Sequence, residues 1–306
     1  MSIEFNLEMA GTADDPLDVA RGVRRILAGN ASQMTFMGTN TYIVGGKELV
    51  VIDPGPNDEA HCRAILAAAG GSPITDILIT HRHLDHTDGT ERLRRLTGAR
   101  VAAFALARSR PRADYQSPSG KEFIDFDLSV DRELGDGDRV EGGDFRLAAV
   151  HTPGHAPDHL CVELTGEVWR DGPLLFTGDH IMGWNTTVIA PPEGQMGRYF
   201  ASLERLITRN DRLYLPGHGE VIHDPQRMAK AYAVHRRMRE AAIIDNLRSG
   251  IRTIAPIVAA LYRTENPQIL AAASLSVLAH LEHLTERGLV SCDGSPGLES
   301  HFSLPR

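Results

Sequence analysis

The residues best suited to chemistry lie in one short stretch, residues 80–89, with the sequence THRHLDHTDG. It holds three histidines and two aspartates and directly follows the apolar run Ile77-Leu78-Ile79, which predicts a buried strand. The polar side chains would then lie in a loop at a strand end, where folds commonly present catalytic groups. Five imidazole and carboxylate ligands are more than one four-coordinate ion takes from a single loop. The stretch indicates two adjacent metal ions, with a solvated polar turn as the alternative.

Three further segments downstream strengthen the metal interpretation. They are HTPGH at residues 151–155, FTGDH at residues 176–180 and LPGHG at residues 215–219. Each follows an apolar run and contains Gly or Pro, a pattern that predicts a strand, a sharp turn and then a ligand. A single His-x-His matches by chance easily, whereas four such motifs in order are a much more specific signal.

The ordered motifs, over roughly residues 35–225, resemble those of the metallo-β-lactamase-fold hydrolases, which include glyoxalase II, ribonuclease Z and the lactamases. The resemblance implies a dinuclear centre of two divalent metal ions, with Zn preferred and Mn or Fe as alternatives. The implied ligands are His81, His83 and His155 for the first ion, Asp85, His86 and His218 for the second, and Asp179 between the two.

Two adjacent divalent ions can hold a bridging water as hydroxide near neutral pH, so no side-chain nucleophile is required. We therefore predict a dinuclear metal-dependent hydrolase that uses a metal-bridging hydroxide. The candidate catalytic residues are Asp85, His159 and His180, with the two histidines as proton donors or substrate contacts. Asp53 precedes Pro54 and either orients metal-bound imidazoles or starts a turn.

Composition places the chain among ordinary soluble globular proteins. It has 306 residues, 42% hydrophobic and 24% charged, and a net charge of -8 that argues against a surface coating nucleic acid. We find no run of about 18 apolar residues and no basic-then-apolar leader, which predicts a cytoplasmic protein without a membrane partner. The three cysteines are far apart in the sequence, so neither a disulfide framework nor a Cys-rich metal site is expected.

The elements around the motifs predict an α/β fold, and the resemblance implies an αββα metallo-β-lactamase sandwich over residues 1–225. We expect an entry strand at residues 3–7, a hairpin at residues 41–52 and a candidate substrate lid at residues 107–120. Helices are predicted at residues 59–69, 90–97 and 197–207, and further strands at residues 74–80, 100–104, 145–150, 159–164, 173–177 and 212–215.

Residues 226–306 differ in composition and predict a separate C-terminal domain. They read as helices at residues 226–248, 255–262 and 269–287, followed by a short hairpin, an order that resembles a winged helix. This tail has 10 Lys plus Arg against 7 Asp plus Glu, so it is more basic than the rest of the chain. Its arginines could bind a polyanion, or they could be a solvated face paired with Glu240 and Asp245.

Gly38-Thr39-Asn40-Thr41-Tyr42, the extended motif at residues 155–159 and the appendage together resemble the β-lactamase-like protein 2 branch, whose animal members are endoribonucleases. This resemblance implies a phosphodiesterase acting on single-stranded RNA. One alternative is a glyoxalase-II-like thioesterase, because the ligand set alone does not separate ester, thioester and phosphodiester substrates. Another is a non-catalytic nucleic-acid-binding module. A homodimer is also possible.

Overall fold

The computed structural model describes residues 3–105 and 123–305 and has four layers, helix, sheet, sheet and helix, with further helices at the C-terminal end. The predicted αββα sandwich is therefore confirmed. This layering arises because each sheet buries one face against the other sheet and the opposite face against helices.

The first sheet contains seven strands that lie side by side in chain order. They are β1 (Pro16–Ala20), β2 (Val23–Leu27), β3 (Asn40–Gly45), β4 (Leu49–Ile52), β5 (Ile74–Leu78), β6 (Arg100–Phe104) and β7 (Arg132–Leu134). The first four strands pair antiparallel, as hairpins do, and β4 to β7 pair in parallel. Parallel pairing requires crossovers, which are helical between β4 and β5 and between β5 and β6.

The second sheet contains five strands in the order β12, β11, β10, β9, β8. Their bounds are β8 (Arg139–Glu141), β9 (Phe145–His151), β10 (Leu160–Gly166), β11 (Leu174–Gly178) and β12 (Leu213–Pro216). Only β11 and β12 pair in parallel, across a helical crossover. This places the residues after β11 and after β12 at the same edge of the sheet.

The main core lies between the two sheets. Tyr42 and Leu78 from the first sheet and Leu160, Phe176 and Leu215 from the second are at most 2% exposed and belong to one apolar cluster. Tyr42 packs edge-on against Phe176, with ring centroids 5.0 Å apart. Its hydroxyl donates to the Pro216 carbonyl at 2.8 Å, so the one polar atom of this ring is satisfied inside the core.

Helices cover the outer face of the first sheet. They are α1 (Glu59–Ala69), the single turn α2 (Leu84–Thr87) and α3 (Thr90–Thr97). The Asp58 side chain caps α1 by accepting from the Ala60 and His61 amides, and Gly70 ends it in the left-handed conformation at φ 60°. Ile65 of α1 and Leu93 of α3 pack on Ile43 in a second apolar cluster.

The outer face of the second sheet is covered by α4 (Met196–Ile207) and by the first half of α5 (Pro225–Arg248). Tyr199 and Leu203 of α4 and Tyr232 of α5 are fully buried in a third cluster with Tyr214. α5 begins at a capping Asp224 with Pro225 at its first position, as the sequence pattern favours.

The C-terminal end contains α6 (Ile254–Leu261), α7 (Pro267–Glu286) and the paired strands β13 (Ser291–Cys292) and β14 (Phe302–Ser303). A fourth cluster joins Ile257, Leu281 and Phe302 to Ile243 and Leu247 from the second half of α5. The predicted order of helices and hairpin is therefore present. α5 contributes to both the third and the fourth clusters, and the domain boundary after residue 225 stays a prediction.

The expectation of an entry strand at residues 3–7 is wrong. These residues form no regular element, and Phe5 instead packs edge-on against Tyr232, with ring centroids 6.2 Å apart. The predicted lid at residues 107–120 lies outside the described residues. All three cysteines are free. None of the helices in the described part of the chain has the length and apolar content that a bilayer crossing requires.

Truncating Ile43, a fully buried residue of β3, should destabilise the sandwich because it leaves a cavity between the first sheet and its helices. We expect Ile43→Ala to lower the free energy of unfolding by about 2–5 kcal/mol and Ile43→Val by about 0.5–1.5 kcal/mol. Urea denaturation measures both values. Leu96→Ala on α3, where Leu96 is 63% exposed, is the control and should change stability by less than about 0.5 kcal/mol. Equal losses at the two sites would contradict the packing described above.

Candidate metal centre

Four strand ends bring the predicted ligands to one edge of the sandwich. β5 leads to His81, β9 leads through a turn to His155, β11 leads to Asp179 and β12 leads to His218. The Gly217 amide donates to the Gly178 carbonyl at 2.9 Å, and this backbone bond holds the last two of these turns together. The structure thus brings all seven sequence-predicted ligand residues into two adjacent groups.

The first group consists of His81, His83, His155 and Asp179, whose potential ligand atoms all lie within 4.8 Å of one another. His83 Nδ1 lies 2.9 Å from His81 Nε2 and 3.1 Å from His155 Nε2. Nitrogens around a tetrahedral zinc, with Zn–N distances of about 2.0–2.1 Å, are separated by about 3.3 Å. The spacing in this group therefore agrees with three nitrogens that share one ion.

The outer nitrogens of these rings decide which atoms face inward. The Val188 carbonyl can only accept, so His155 Nδ1 donates to it at 2.7 Å and Nε2 carries the lone pair. Thr80 Oγ1 donates to Asp53 Oδ2 at 2.7 Å, so it accepts from His81 Nδ1 at 3.0 Å. His81 Nε2 and His155 Nε2 then both direct a lone pair toward His83 Nδ1, and a cation bound among the three rings would be stabilised by these lone pairs.

The second group consists of Asp85, His86 and His218. His218 Nδ1 donates to the Gly38 carbonyl at 3.1 Å, which leaves Nε2 facing Asp85 Oδ2 at 3.2 Å. His86 Nε2 is buried without a hydrogen-bond partner within the described residues. Because an unpartnered buried nitrogen costs free energy, the donor set fits a metal ion better than a purely protein site.

Asp179 faces both groups with different oxygens. Its Oδ2 lies 3.7 Å from His155 Nε2 in the first group. Its Oδ1 lies 3.4 Å from both His86 Nε2 and His218 Nε2 in the second group, and it has no hydrogen-bond partner in the described chain. A carboxylate in this position can coordinate one ion with each oxygen.

Electrostatics differ between the two groups. Burial and the neighbouring His155 imidazole lower the pKa of His83 to about 3, and burial holds the pKa of His81 well below its usual value. Burial opposes charge on His218 as well, but the Asp179 and Asp85 carboxylates raise its pKa to about 10. The first group therefore holds neutral imidazoles, the form that binds metal. In the second, the charge of the carboxylates attracts a cation.

Asp53 forms hydrogen bonds that orient residues of both groups. Its Oδ2 accepts from His86 Nδ1 at 2.9 Å, and its Oδ1 accepts from the Thr80 amide at 2.8 Å. The residue is 2% exposed and has a left-handed backbone at φ 51°, which aspartate tolerates better than most residues. Of the two interpretations of Asp53, the orienting carboxylate is the one that agrees with these contacts.

His159 and His180, predicted as proton donors or substrate contacts, are both fully buried. His159 Nε2 accepts from the Asp179 amide at 3.1 Å, and its Nδ1 lies 2.9 Å from Thr152 Oγ1. His180 lies behind it against Tyr199, with ring centroids 4.5 Å apart. His159 thus contacts the Asp179 backbone and His180 packs in the core, and a role for either ring as a proton donor or substrate contact stays a prediction.

Two glycines allow the turns to approach the groups closely. A Cβ on Gly217 would lie 2.7 Å from Asp179 Oδ1 and 2.8 Å from His86 Cε1. A Cβ on Gly178, which has φ 45°, would lie 2.7 Å from His159 Nε2. Any side chain at either position would collide with these atoms, so both turns require glycine.

The sandwich and its two groups of histidine and aspartate define a metal-dependent hydrolase. The family profile described as Metallo-beta-lactamase superfamily matches residues 34–218, and the chain belongs to this superfamily. A second profile, described as Beta-lactamase associated winged helix domain, matches residues 253–298. Members of the superfamily typically use metal ions, and the His/Asp cluster could bind them.

Relatives include the atrochrysone carboxyl ACP thioesterase of Aspergillus fumigatus, 34% identical over 76% of this chain and 68% of the relative. The beta-lactamase-like protein 2 homolog of Drosophila melanogaster is 30% identical over 92% of this chain and 94% of the relative. Among solved structures, a beta-lactamase domain protein from Burkholderia ambifaria superposes with a TM-score of 0.79 at 21% identity, covering 97% of this chain and 96% of that one. At this identity the superposition supports the fold alone.

Sequence reasoning missed the backbone carbonyls that fix the ring orientations, those of Gly38 and Val188. No residue pattern signals a carbonyl contact over this separation in the chain. It also missed Thr187, whose hydroxyl donates to the Asp179 carbonyl at 2.7 Å.

Gly217→Ala should disrupt the metal centre because its methyl group would displace Asp179 and His86. We expect bound metal to fall by at least about half and activity by about 100-fold, since displaced ligands weaken metal binding strongly. Elemental analysis and steady-state kinetics measure these changes. Gly46→Ala is the matched control, because a Cβ there meets nothing within 4 Å. Full metal content in Gly217→Ala would show that the turn does not restrict the site.

Proposed function

We propose that the chain is a dinuclear metal-dependent thioesterase with the ligands distributed as the motifs imply. His81, His83 and His155 would hold the first ion, Asp85, His86 and His218 the second, and Asp179 would bridge them. Zinc suits this mixture of imidazole and carboxylate, with Mn and Fe as alternatives. The orphaned inward-facing atoms, His86 Nε2 and Asp179 Oδ1, are the observation that carries the proposal of metal binding.

When bound, the two ions would supply a Lewis acid for the scissile carbonyl and would lower the pKa of the attacking water. The side chains do the positioning. Thr80 and Thr187, the hydroxyls beside the groups, already donate to Asp53 and to the Asp179 carbonyl, so neither is poised as a nucleophile. Asp85, with 30% of its side chain exposed, is the ligand carboxylate best placed to contact substrate or to accept a proton from water.

The positions of His159 and His180 favour a thioester over a phosphodiester. Both predicted proton donors are fully buried, which argues against either of them protonating a leaving group. A thiolate leaves without strong acid assistance, because thiols have a pKa near ~8.5. An RNA alkoxide is far more basic and depends more on a proton donor. A thioester is therefore the substrate class that best matches these residues.

The C-terminal arginines also weaken the polyanion hypothesis. Arg236 is 3% exposed. Arg239 lies over the Tyr262 ring at 4.4 Å from its centroid, and Arg237 and Arg248 pair with Glu204 at 3.1 Å and Asp245 at 2.6 Å. These side chains are already engaged within the chain, which leaves fewer cations for phosphate neutralisation.

The relative with the highest identity quoted above is named as an ACP thioesterase, and this supports the thioester assignment. A single-stranded RNA phosphodiesterase is the second candidate. The match to a winged helix profile over residues 253–298 favours it, because that appendage is the feature that prompted the RNA hypothesis. The superfamily match makes a non-catalytic binding module the weakest interpretation.

Metal content tests the ligand assignment. Reconstituted protein should bind two ions per chain and lose activity with a chelator. Asp179→Ala should weaken both sites, and His218→Ala should chiefly empty the second, because only Asp179 faces both groups. We expect activity to fall by about 100-fold or more in each variant. Elemental analysis with equilibrium dialysis measures the stoichiometry, and wild-type protein without specific metal uptake would contradict the assignment.

A substrate panel tests the thioester assignment. Acyl-pantetheine and S-lactoylglutathione thioesters, single-stranded RNA, bis-p-nitrophenyl phosphate and a chromogenic cephalosporin should be compared on one metal-loaded preparation. We expect kcat/KM for a thioester to exceed that for the phosphodiesters by at least about 100-fold, because the better leaving group needs no buried proton donor. Asp179→Ala is the control for contaminating hydrolases. Preferential cleavage of RNA, abolished in this variant, would support the second candidate instead.

A further inference from the structure

A buried cation lies behind the proposed metal centre, on a helix that leads into the C-terminal clusters. Arg236 of α5 is 3% exposed and forms no ion pair within residues 3–105 and 123–305. Its guanidinium carbon lies 5.3 Å from the centroid of the Tyr199 ring, and one terminal nitrogen donates to the Thr187 carbonyl. Its Nε has no hydrogen-bond partner in the same described ranges.

Burial of a guanidinium without a carboxylate costs free energy, and one carbonyl with one aromatic face offsets this cost only in part. A methionine in this position would pack without that penalty. Packing alone therefore does not explain an arginine here. Its hydrogen bond to the Thr187 carbonyl is the interaction that methionine could not make.

Arg236 contacts the segment of residues 182–188, and this segment in turn contacts two of the proposed ligand residues. Thr187 Oγ1 donates to the Asp179 carbonyl at 2.7 Å. The next carbonyl, that of Val188, accepts from His155 Nδ1 at 2.7 Å and so fixes which nitrogen of that ring faces inward. One short stretch thus orients a ligand of the first group and the residue that faces both groups.

The segment has no regular secondary structure to hold it in place. Its earlier part is anchored by Tyr232, whose hydroxyl accepts from the Met182 amide at 3.0 Å and lies 2.6 Å from the Asn185 carbonyl. Tyr199 donates to the His180 carbonyl at 2.7 Å. Arg236 is the contact from α5 that reaches Thr187 itself, next to the carbonyl that orients His155.

We propose that Arg236 is a positioning residue for the metal centre, which it supports through Thr187 and Val188. The inference rests on the ligand assignment of the proposed function. It adds that α5 sets the geometry of His155 and Asp179. The role of this arginine is then internal, whereas the sequence left the arginines of this tail as either polyanion contacts or a solvated face.

The chain offers a matched control on the same helix. Arg239 is also stacked over a tyrosine, Tyr262, and also donates to a backbone carbonyl, that of Leu261 at 3.3 Å. It touches neither the 182–188 segment nor any proposed ligand among the contacts described. Arg236→Met and Arg239→Met therefore remove the same kinds of interaction, from a buried and a half-buried arginine, but only the first should affect the metal centre.

Metal affinity, measured by competition with a chromogenic chelator, is the primary readout. We expect Arg236→Met to weaken binding of at least one of the two ions by about 10-fold or more, a value typical for loss of groups that orient ligands. Arg239→Met should stay within about twofold of wild type. The visible spectrum of the Co²⁺-substituted protein should shift in Arg236→Met only, and Arg236→Lys should restore part of the affinity.

Thr187→Val tests the same linkage to the metal centre without changing the arginine. It removes the hydrogen bond to the Asp179 carbonyl and should also weaken metal binding by about 10-fold. If Arg236 acts through Thr187, the double variant Arg236→Met, Thr187→Val should be clearly less impaired than the product of the two single effects. The Thr187→Val effect and the Arg236→Lys comparison remain measurable even if Arg236→Met does not fold.

Metal affinities of both Arg236 variants within twofold of wild type would overturn this inference and leave the proposed function standing. So would equal losses in Arg236→Met and Arg239→Met, because these would indicate a general loss of stability. If Arg236→Met does not fold, wild-type affinity in Arg236→Lys together with wild-type affinity in Thr187→Val would overturn it. A wild-type protein that binds no metal would overturn the proposed function and this inference together.

Discussion

The structure depends on the convergence of unshared electron pairs at one edge of the sandwich. His83 Nδ1 lies 2.9 Å from His81 Nε2 and 3.1 Å from His155 Nε2, and Asp179 adds an oxygen toward each group. In water such atoms would each be solvated, and in a buried site without a cation they would repel one another. The fold places them together because four strands end at the same edge and because two glycines let the turns approach. A metal ion bound among these atoms would make the arrangement favourable.

The same constraint explains the hydrogen bonds that surround the site. Four of the five rings are oriented by a hydrogen bond at the nitrogen that faces away from the centre. The partners are Asp53 for His86, Thr80 for His81, and the carbonyls of Gly38 and Val188 for His218 and His155. These contacts come from the ends of first-sheet strands and from an irregular segment anchored by α5. The C-terminal helices are therefore connected to the centre through α5, which packs against them and contacts this segment.

Much of this could be predicted from the sequence because ligand chemistry is local. The stretch at residues 80–89 and the turns at His155, Asp179 and His218 each follow an apolar strand, so pattern and function coincide there. The predicted entry strand at residues 3–7 is absent because an apolar pattern does not determine whether a segment pairs in a sheet or packs on a helix. Here Phe5 packs on Tyr232 of α5. The complete burial of His159 and His180 could not be predicted, because proximity in sequence does not reveal whether a ring faces a cleft or the core. The burial of Arg236 could not be predicted for the same reason, since a basic helix face gives no sign of which arginine is buried.

Anomalous diffraction from crystals grown with zinc tests the central claim most directly. The account predicts two peaks at the sandwich edge, one within bonding distance of His81, His83 and His155 and one within bonding distance of Asp85, His86 and His218, with Asp179 between them. Zn–N distances should be about 2.0–2.1 Å. The absence of any peak at this edge, with the same side chains hydrogen-bonded to one another or to water, would contradict the account.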